Sequence, residues 1–306
     1  MKYSVIVPVY NRIDEVDDLL RSLAGQRGGD FEVIIVEDGS TAPCGETVEK
    51  YRDALDVKYH YKENEGRSIA RNYGLERASG DYMIFFDSDC VIPSDYFIKL
   101  DKALTAKPLD CFGGPDAADE SFSDTQKAIN YSMTSFLTTG GIRGGKVQLE
   151  RFTPRSFNMG YSRRVYERVG GFREMFSEDI DMSTRVRQAG FSIGLIREAF
   201  VYHKRRVDFA KFLRQVYVFG MSRITLRLLY PDSLKAVHTL PAIAVILGVA
   251  CVVLAITVSW WWIVPIAMYL LAIFVTAWIA TRRLNIAVMA VPASIIQLRG
   301  YGCGFI

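Results

Sequence analysis

Cysteine is scarce in this 306-residue chain, and its five copies lie far apart: Cys44, Cys90, Cys111, Cys251 and Cys303. None of them forms the close pairs that are typical of zinc sites. Their odd number and scatter favour a reducing compartment over a disulfide-bonded secreted protein. We expect most of them to be small buried hydrophobic residues.

Net charge is also low, with a formal value of +3, and this gives no indication of a nucleic-acid partner. One basic run, Lys204-Arg205-Arg206, predicts contact with acidic lipid head groups or phosphates. The amino terminus lacks the long apolar core and cleavage site of a signal peptide, because Lys2 is followed by a short mixed strand. We therefore expect no signal peptide.

Charged residues are missing altogether from Thr239 to Ala280, which contains no Asp, Glu, Lys or Arg. This length is about twice the roughly 20 residues that one transmembrane helix needs. We expect two transmembrane helices within residues 231–283. Their turn would fall at three consecutive tryptophans, Trp260, Trp261 and Trp262, which are typical of the interfacial aromatic belt.

Basic residues flank this segment, with Lys235 before it and Arg282 and Arg283 after it. The positive-inside rule then places both ends in the cytoplasm, which predicts a multi-pass protein of the cell inner membrane with a cytoplasmic catalytic domain. The last segment, 284–306, opens with a short apolar stretch that ends at Leu298. An interfacial helix is preferred there, while a re-entrant segment and a third partial span stay open.

Residues 1–230 have the alternating pattern of an α/β domain. Apolar segments of strand length run from Tyr3 to Tyr10, from Phe31 to Val36 and from Tyr82 to Phe86, with helical periodicity between them. This alternation predicts a mostly parallel sheet flanked by helices. The glycine-rich stretch between Gly113 and Arg155 predicts loops over a site.

Acidic residues stand at the exits of two predicted strands: Glu37-Asp38 after the second, and Asp87-Ser88-Asp89 after the strand that ends at Phe86. In open parallel sheets, ligands bind beyond the carboxyl ends of the strands. Two carboxylates one residue apart can share a hard divalent cation, which neutralises a leaving diphosphate. The Asp-Ser-Asp turn is therefore a candidate site for a metal-bound phosphate.

A second acidic cluster, Glu178, Asp179 and Asp181, opens a predicted helix for which Ser177 is placed as the N-cap. Acidic residues in a first helical turn also complement the helix dipole. By themselves, these three acids are as consistent with a structural role as with a functional one.

The ordered motifs resemble family 2 of the inverting glycosyltransferases, whose catalytic domain has the GT-A fold. They are Pro8-Val9-Tyr10-Asn11, Glu37-Asp38-Gly39-Ser40, Ala70-Arg71-Asn72-Tyr73-Gly74, Asp87-Ser88-Asp89, Gly170-Gly171-Phe172 and Glu178-Asp179. Each motif is weak alone, but six in family order span nearly the whole soluble domain. The resemblance implies a nucleotide-sugar-binding α/β fold followed by a C-terminal transmembrane helical hairpin, as in membrane-attached members that act on lipid-linked or secreted polysaccharides.

The resemblance also implies how a nucleotide-sugar donor is bound. Asp38 matches the acid that accepts a hydrogen bond from the base, Arg71 would contact the base or diphosphate, and Asp87 would contact the ribose, or the metal through water. Uridine diphosphate is the expected carrier, with guanosine and thymidine diphosphate open. The implied nucleotide-binding set is Pro8, Tyr10, Asn11, Glu37, Asp38, Arg67, Arg71, Asp87 and Ser88.

Catalytic roles follow from the same resemblance. Asp179 matches the base that takes the proton from an acceptor hydroxyl during a single inverting displacement, and Glu178 would orient hydroxyl groups. Mn²⁺ or Mg²⁺ would be held by Asp89 directly, by Asp87, and by His203, because a histidine beyond the catalytic helix completes the metal shell in related enzymes.

Processive polymerisation is not expected, because Gln215 and Arg223 lack the spacing and the tryptophan of the Gln-x-x-Arg-Trp signature. We expect transfer of one sugar to a membrane-associated acceptor, either lipid-linked or a polysaccharide. A sugar-phosphate nucleotidyltransferase would need a glycine-rich basic loop where Pro8-Val9-Tyr10-Asn11-Arg12 stands. A glycoside hydrolase needs no nucleotide-binding half. A non-catalytic membrane scaffold would leave the acidic motifs unexplained.

Overall fold

The computed structural model describes residues 1–117, 122–140, 152–203 and 208–306. The chain forms two compact units: unit 1 is Met1–Asp119 with Phe152–Lys204, and unit 2 is Glu120–Arg151 with Arg205–Ile306. This division differs from the sequence-based domain limits of 1–230, 231–283 and 284–306, which stay predictions. The basic run 204–206 and part of the glycine-rich stretch, 141–151, lie outside the described residues.

All strands of the described chain belong to unit 1. They are β1 (Lys2–Val9), β2 (Asp30–Asp38), β3 (Val57–Lys62), β4 (Tyr82–Phe86), β5 (Cys90–Val91), β6 (Cys111–Gly113), β7 (Asp116–Ala117), β8 (Asn158–Ser162), β9 (Ile193–Leu195) and β10 (Val201–His203).

The main sheet has seven strands in the order β3-β2-β1-β4-β8-β6-β9. Strands β3, β2, β1 and β4 run parallel, whereas β8 is antiparallel to both β4 and β6. A small second sheet has the order β5-β10-β7. The expected mostly parallel sheet is therefore confirmed, with one antiparallel strand inside it.

The helices of unit 1 are α1 (Ile13–Ala24), α2 (Gly45–Glu49), α3 (Arg67–Leu75), α4 (Tyr96–Ala106), α7 (Arg163–Val169) and α8 (Glu178–Gln188). Those of unit 2 are α5 (Asp124–Thr134), α6 (Phe136–Thr139), α9 (Phe209–Leu229), α10 (Ala236–Thr257), α11 (Val264–Thr281) and α12 (Leu284–Phe305).

Both faces of the main sheet are apolar, which is typical of a sheet covered by helices on two sides. In β4, Ile84 and Phe86 belong to one buried cluster and Met83 and Phe85 to the other. Helices α1 and α4 contribute to the first cluster, and α3 and α8 to the second. These layers fix the ends of β1, β2 and β4 along one edge.

Residues 122–140 correct the expectation of loops after Gly113, because they form α5 and α6. Ser123 and Gln126 make a capping box at the start of α5, with the Ser123 side chain accepting from the Gln126 backbone N–H. The buried face of α5 carries Ala128, Ile129 and Met133, which pack with α9, α11 and α12 of the same unit. The polar composition of this stretch gave no indication of the short apolar face of α5.

Three helices of the described chain are long and apolar enough to cross a membrane: Ala236–Thr257, Trp260–Thr281 and Leu284–Phe305. The three consecutive tryptophans lie in a 3₁₀ turn at the start of the second, where the predicted hairpin turns. The third helix is longer than the predicted apolar stretch, because it continues past Leu298 to Phe305.

The extended part of α12 carries glycines where it contacts α9. A Cβ on Gly304 would lie 2.1 Å from the Tyr217 carbonyl oxygen, and one on Gly300 would lie 2.4 Å from a Val216 methyl group. Small residues at these positions let α12 approach the backbone of α9 closely. Whether α12 spans, re-enters or lies on a membrane stays a prediction.

Candidate active site

The predicted site motifs meet at the edge of the main sheet where β1, β2 and β4 end. Because these strands are parallel, Asn11, Asp38 and the Asp87–Asp89 turn all leave the sheet on the same side. The amino terminus of α8, with Glu178 and Asp179, is joined to this edge by contacts from α3. The sequence-based candidates are thus brought together in unit 1.

Asp38 holds the loop that leads into α3. Its carboxylate accepts hydrogen bonds from the backbone N–H groups of Glu65 at 3.0 Å and Gly66 at 2.8 Å, and pairs with the Lys62 ammonium at 2.9 Å. A carboxylate has about four acceptor positions, so these contacts leave capacity for a ligand donor. Recognition of a base by Asp38 stays a prediction.

Glu37 is fully buried and stabilises its own turn. It accepts hydrogen bonds from the Ser40 hydroxyl, the Cys44 backbone N–H at 2.7 Å and the Tyr59 hydroxyl at 3.3 Å. These contacts give Glu37 a structural task in the loop after β2. The predicted contact of Glu37 with a nucleotide is not tested by them.

Asn11 connects the loops after β1 and β2. Its backbone N–H donates to the Ser40 hydroxyl oxygen at 2.7 Å, and its side-chain oxygen accepts from the backbone N–H groups of Thr41 at 2.9 Å and Ala42 at 3.3 Å. The neighbouring candidates Pro8 and Tyr10 are half-buried and exposed, respectively. Tyr10 therefore presents its ring at the same edge.

Arg71 is a buried cation of the site, with 1% of its side chain exposed. Its guanidinium donates to Glu178 Oε1 and to Asp87 Oδ1, both at 2.8 Å, and lies 5.5 Å from the centre of the Phe172 ring. Burial lowers the pKa of Arg71, but the two carboxylates outweigh this and raise it above its ordinary value. Arg71 thus ties the exit of β4 to the start of α8.

Glu178 is the common partner of two arginines. Its second oxygen, Oε2, accepts from Arg67 at 2.8 Å, and Oε1 also lies 3.4 Å from the Ser156 hydroxyl. Glu178 is 2% exposed, whereas the Arg67 side chain is 57% exposed. Both carboxylate oxygens are therefore engaged by cations, and Arg67 is the partner that stays accessible to a ligand.

The small sheet positions the metal-ligand candidates. Antiparallel pairing of β5 with β10 sets His203 opposite Cys90, next to Asp89, and the Asp89 Oδ1 to His203 Nε2 distance is 3.1 Å. On its other side, His203 Nδ1 lies 3.9 Å from Asp116 Oδ2, and its ring stacks on Phe157. Asp89 and His203, two candidate metal ligands that are far apart in sequence, therefore lie side by side.

The donor atoms of Asp89, Cys90 and His203 lie within 4.8 Å of one another. Cys90 is fully buried, and its burial, together with the negative charge of Asp89, raises the pKa of its thiol. A thiol that stays protonated is a poor ligand for a hard cation. The carboxylate and imidazole that remain, with the nearby Asp87, are an oxygen-rich set that fits Mn²⁺ or Mg²⁺.

Asp179 lies in the first turn of α8 with 13% of its side chain exposed. Its Oδ1 accepts from the Ile180 backbone N–H at 2.8 Å, and its Oδ2 lies 3.4 Å from an Arg155 nitrogen. Unlike Glu178, it therefore makes no short ion pair in the described chain. Asp181 instead pairs with Arg185 and Arg173 and is fully buried, which indicates a structural role.

Ser177 departs from its predicted role as a side-chain cap. It occupies the N-cap position of α8, but it has a left-handed backbone with a φ of 62° and makes no side-chain capping bond. A left-handed backbone is unfavourable for serine. The first turn of α8 is held instead by the arginine contacts of its acidic side chains.

Sequence reasoning missed three residues of the site. Asp116 follows the strand exit at Gly113-Gly114-Pro115, which is the same signal that identified the other acids. Arg155 and Ser156 reach Asp179 and Glu178 from an irregular segment, and no periodic pattern identifies such residues in advance.

Comparison with known sequences places these residues in context. Residues 4–170 match the profile of the family described as "Glycosyl transferase family 2". The glycosyltransferase GlyA of Streptococcus pneumoniae is 39% identical over 111 residues, which cover 36% of this chain and 16% of GlyA. The poly(ribitol-phosphate) beta-N-acetylglucosaminyltransferase TarS of Staphylococcus aureus is 43% identical over 93 residues, which cover 29% of this chain and 16% of TarS.

A longer match is the uncharacterized glycosyltransferase EpsJ of Bacillus subtilis, which is 29% identical over 202 residues, covering 64% of this chain and 56% of EpsJ. The chain spans less than two thirds of the length of each of these relatives. His203 lies beyond the residues that the family profile matches.

Solved structures share the fold. The mannosyltransferase PcManGT from Pyrobaculum calidifontis, in complex with GDP-Man and Mn²⁺, has a TM-score of 0.68 at 16% identity, covering 97% of this chain and 86% of that one. TarS 1-349 of S. aureus in complex with UDP-GlcNAc has a TM-score of 0.52 at 20% identity, covering 100% of this chain and 90% of that one. At these identities, the likeness concerns the fold.

Proposed function

The chain belongs to glycosyl transferase family 2 and has the GT-A fold, and on this premise we propose that it is an inverting glycosyltransferase. It moves a single sugar from a nucleoside diphosphate sugar, with uridine diphosphate as the carrier, to a membrane-associated acceptor in glycan or polysaccharide synthesis. The observation that carries the proposal is the 3.1 Å approach of His203 to Asp89, because this pair joins the Asp-Ser-Asp turn to a distant part of the chain.

Donor binding rests on the edge of the main sheet. Asp38 accepts from the base, Tyr10 offers its exposed ring, and Arg67 carries an accessible positive charge toward the diphosphate. Asp87 is partly exposed and one of its oxygens is held by Arg71, which supports its assignment as the ribose contact through the other oxygen. A uridine carrier is supported by the UDP-GlcNAc complex of TarS, while the GDP-Man complex of PcManGT keeps guanosine as the alternative.

Asp89 and His203 would hold a divalent cation, with Asp87 beside them. Bound there, the cation would neutralise the charge of the leaving diphosphate. A nitrogen ligand favours Mn²⁺ over Mg²⁺, because Mg²⁺ demands oxygen ligands more strictly. The Mn²⁺ in the PcManGT complex is consistent with this preference.

Asp179 acts as the general base. Its Oδ1 is held by the Ile180 N–H, and its Oδ2, which has the longer 3.4 Å contact with Arg155, takes the proton from the acceptor hydroxyl as that oxygen attacks the anomeric carbon. The carbon–oxygen bond to the diphosphate breaks in the same step, so the configuration inverts. Glu178 is committed to Arg67 and Arg71, which favours Asp179 over Glu178 for the proton transfer and gives Glu178 the task of fixing α8.

The acceptor is proposed to be lipid-linked or a polysaccharide at the membrane. The three apolar helices of the carboxyl-terminal part support membrane attachment. An inner-membrane, multi-pass arrangement with the catalytic unit in the cytoplasm follows from the basic residues Lys235, Arg282 and Arg283.

Ligand-dependent thermal stability of the detergent-purified full chain tests donor and metal binding. Unfolding is followed with a thiol-reactive dye in a Cys251→Ser/Cys303→Ser background, because the remaining thiols, Cys44, Cys90 and Cys111, are buried in unit 1. We expect one nucleoside diphosphate to raise the Tm only with Mn²⁺ or Mg²⁺, and Asp89→Ala to abolish this gain. Failure of every nucleotide to stabilise the folded chain would contradict the proposal and favour the scaffold.

Turnover of Asp179→Asn tests the base. General-base assistance contributes roughly 10²- to 10⁴-fold, so kcat should fall by that factor while the donor-induced Tm gain is kept. Glu174→Gln is the matched control, because Glu174 is an exposed acid shortly before the same helix. Near-normal turnover of Asp179→Asn at saturating substrates would exclude Asp179 as the base.

A further inference from the structure

Helix α9 carries an exposed apolar stripe along its length. The stripe residues recur every three or four positions, so they share one face of the helix. They are Leu213, Tyr217, Met221, Ile224 and Leu228, with exposed fractions from 36% to 80%. A contiguous apolar surface of this kind marks an interaction site.

The adjoining face of α9 is covered within unit 2, and Leu213 and Tyr217 lie where the two faces meet, beside Gly300 and Gly304 of α12. Phe212 and Val216 are fully buried against α5 and α12, and Gly220 abuts the Tyr301 carbonyl oxygen of α12, where a Cβ would lie only 2.2 Å away. Helix α9 is therefore apolar on its packed side and again on its open side.

Basic side chains border the stripe. Arg214 lies on one edge and Arg227 on the other, both on exposed positions, and Lys211 follows farther round the helix. Long basic side chains can lay their methylene groups along an apolar surface and extend their charged ends to lipid phosphates. This border of positive charge matches an anionic membrane surface.

The neighbouring helix in the chain supports the same occupant. After a short 3₁₀ turn, α9 is followed by α10, which is apolar, long enough to span a membrane and largely exposed along its length. If α10 spans a membrane, the stripe on α9 lies next to the lipid acyl chains. This continuity favours a lipid bilayer over a soluble protein as the occupant.

We propose that α9 is an interfacial helix, whose stripe enters the acyl boundary of an acidic bilayer while Arg214 and Arg227 contact lipid phosphates. This contact is additional to the three helices that are long and apolar enough to span. It does not depend on the chemistry proposed for unit 1.

Position-specific quenching in the full chain tests the proposal. A fluorophore is attached to one introduced cysteine at a time in the Cys251→Ser/Cys303→Ser background, whose remaining thiols are buried, and the protein is reconstituted into vesicles that contain phosphatidylglycerol. Ile224→Cys and Tyr217→Cys report on the stripe. Thr225→Cys and Lys211→Cys are matched controls, because these exposed residues lie on the same helix but off the stripe.

Lipids brominated on their acyl chains should quench the two stripe positions at least about twofold more than the two controls. Replacing both Arg214 and Arg227 with Gln should reduce that quenching in phosphatidylglycerol vesicles more than in neutral vesicles. Equal, weak quenching at all four positions, with full access to aqueous iodide, would overturn the proposal. So would efficient disulfide cross-linking between two chains of the Ile224→Cys variant, because a second copy would then cover the stripe.

Discussion

Removing the positive charge of Arg71 should destabilise unit 1 far more than removing that of Arg67, although both arginines bind the same carboxylate. Arg71 and Glu178 are 1% and 2% exposed, and Arg71 also binds Asp87. Arg67 binds the other oxygen of Glu178 at the same 2.8 Å, but its side chain is 57% exposed. The two positions thus differ mainly in burial.

The expected magnitudes follow from that difference. Breaking a buried ion pair by removing one partner costs about 3–5 kcal/mol, because the remaining charge is left in an apolar environment. An exposed ion pair contributes about 0–1 kcal/mol. For a unit of this size, about 1 kcal/mol shifts Tm by roughly 2–4 °C, so Arg71→Met should lower Tm by about 10 °C and Arg67→Met by less than about 4 °C.

The thiol-dye melting assay on the full chain measures both shifts, since its buried reporters all lie in unit 1. A third variant, Arg71→Met/Glu178→Gln, tests the cause. If an uncompensated Glu178 charge produces the loss, neutralising that side chain should restore part of the stability lost in Arg71→Met. Equal Tm losses for Arg71→Met and Arg67→Met, or a simple sum of losses in the double variant, would refute the reasoning.

Two further predictions concern unit 1. Burial raises the pKa of Glu32, but hydrogen bonds from Lys58, Ser4 and Ser79 outweigh this and lower it to about 2. Relative to an unfolded pKa of about 4.3, this shift contributes up to about 3 kcal/mol to the free energy of unfolding. The contribution is present above about pH 4.5 and is lost as the pH falls toward 2. Glu32→Gln should therefore lower Tm at pH 7 and approach the parent protein below pH 4.5, and a Tm difference that is the same at pH 3 and pH 7 would contradict this. Gly114→Ala should destabilise unit 1 by about 1–3 kcal/mol or more, because its Cβ would lie 1.7 Å from the Ala199 carbonyl oxygen. Gly25→Ala is the control in the same melting assay and should be nearly neutral, because its Cβ would make no contact closer than 3.6 Å.

Much of unit 1 could be predicted from sequence because its core strands are short apolar runs that end in polar turns. The strands that end near Val9, Asp38 and Phe86 were expected within a few residues, and the shared edge at their carboxyl ends follows from parallel pairing. The same pattern identified Asp38, Asp87 and Asp89 as acids at strand exits. Local periodicity therefore accounts for the position of the site.

The partners of the charged residues could not be predicted in this way. The resemblance implies a contact of Arg71 with the base or diphosphate, which stays a prediction. The pattern gave no indication that its guanidinium donates to two carboxylates, one of them 107 positions away in the chain. Nothing in the helical pattern of α3 distinguishes an arginine that reaches a ligand from one that is buried against α8. Helix α5 was missed for a related reason, since its apolar face is completed only by α9, α11 and α12.

Two residues with left-handed backbones show how such long-range contacts hold the site. Asn11, with a φ of 54°, adjoins the exit of β1, and Ser177, with a φ of 62°, precedes Glu178. Each conformation costs about 1–3 kcal/mol and persists only where the surroundings over-determine it. For Asn11, the side-chain oxygen accepts two backbone N–H groups of the β2 loop, and for Ser177 the next residue is fixed by Arg67 and Arg71. Because Arg71 joins Asp87 to Glu178 within unit 1, the spacing between the β4 exit and the start of α8 is set before any donor binds, which is the preorganisation that the proposed inverting displacement needs.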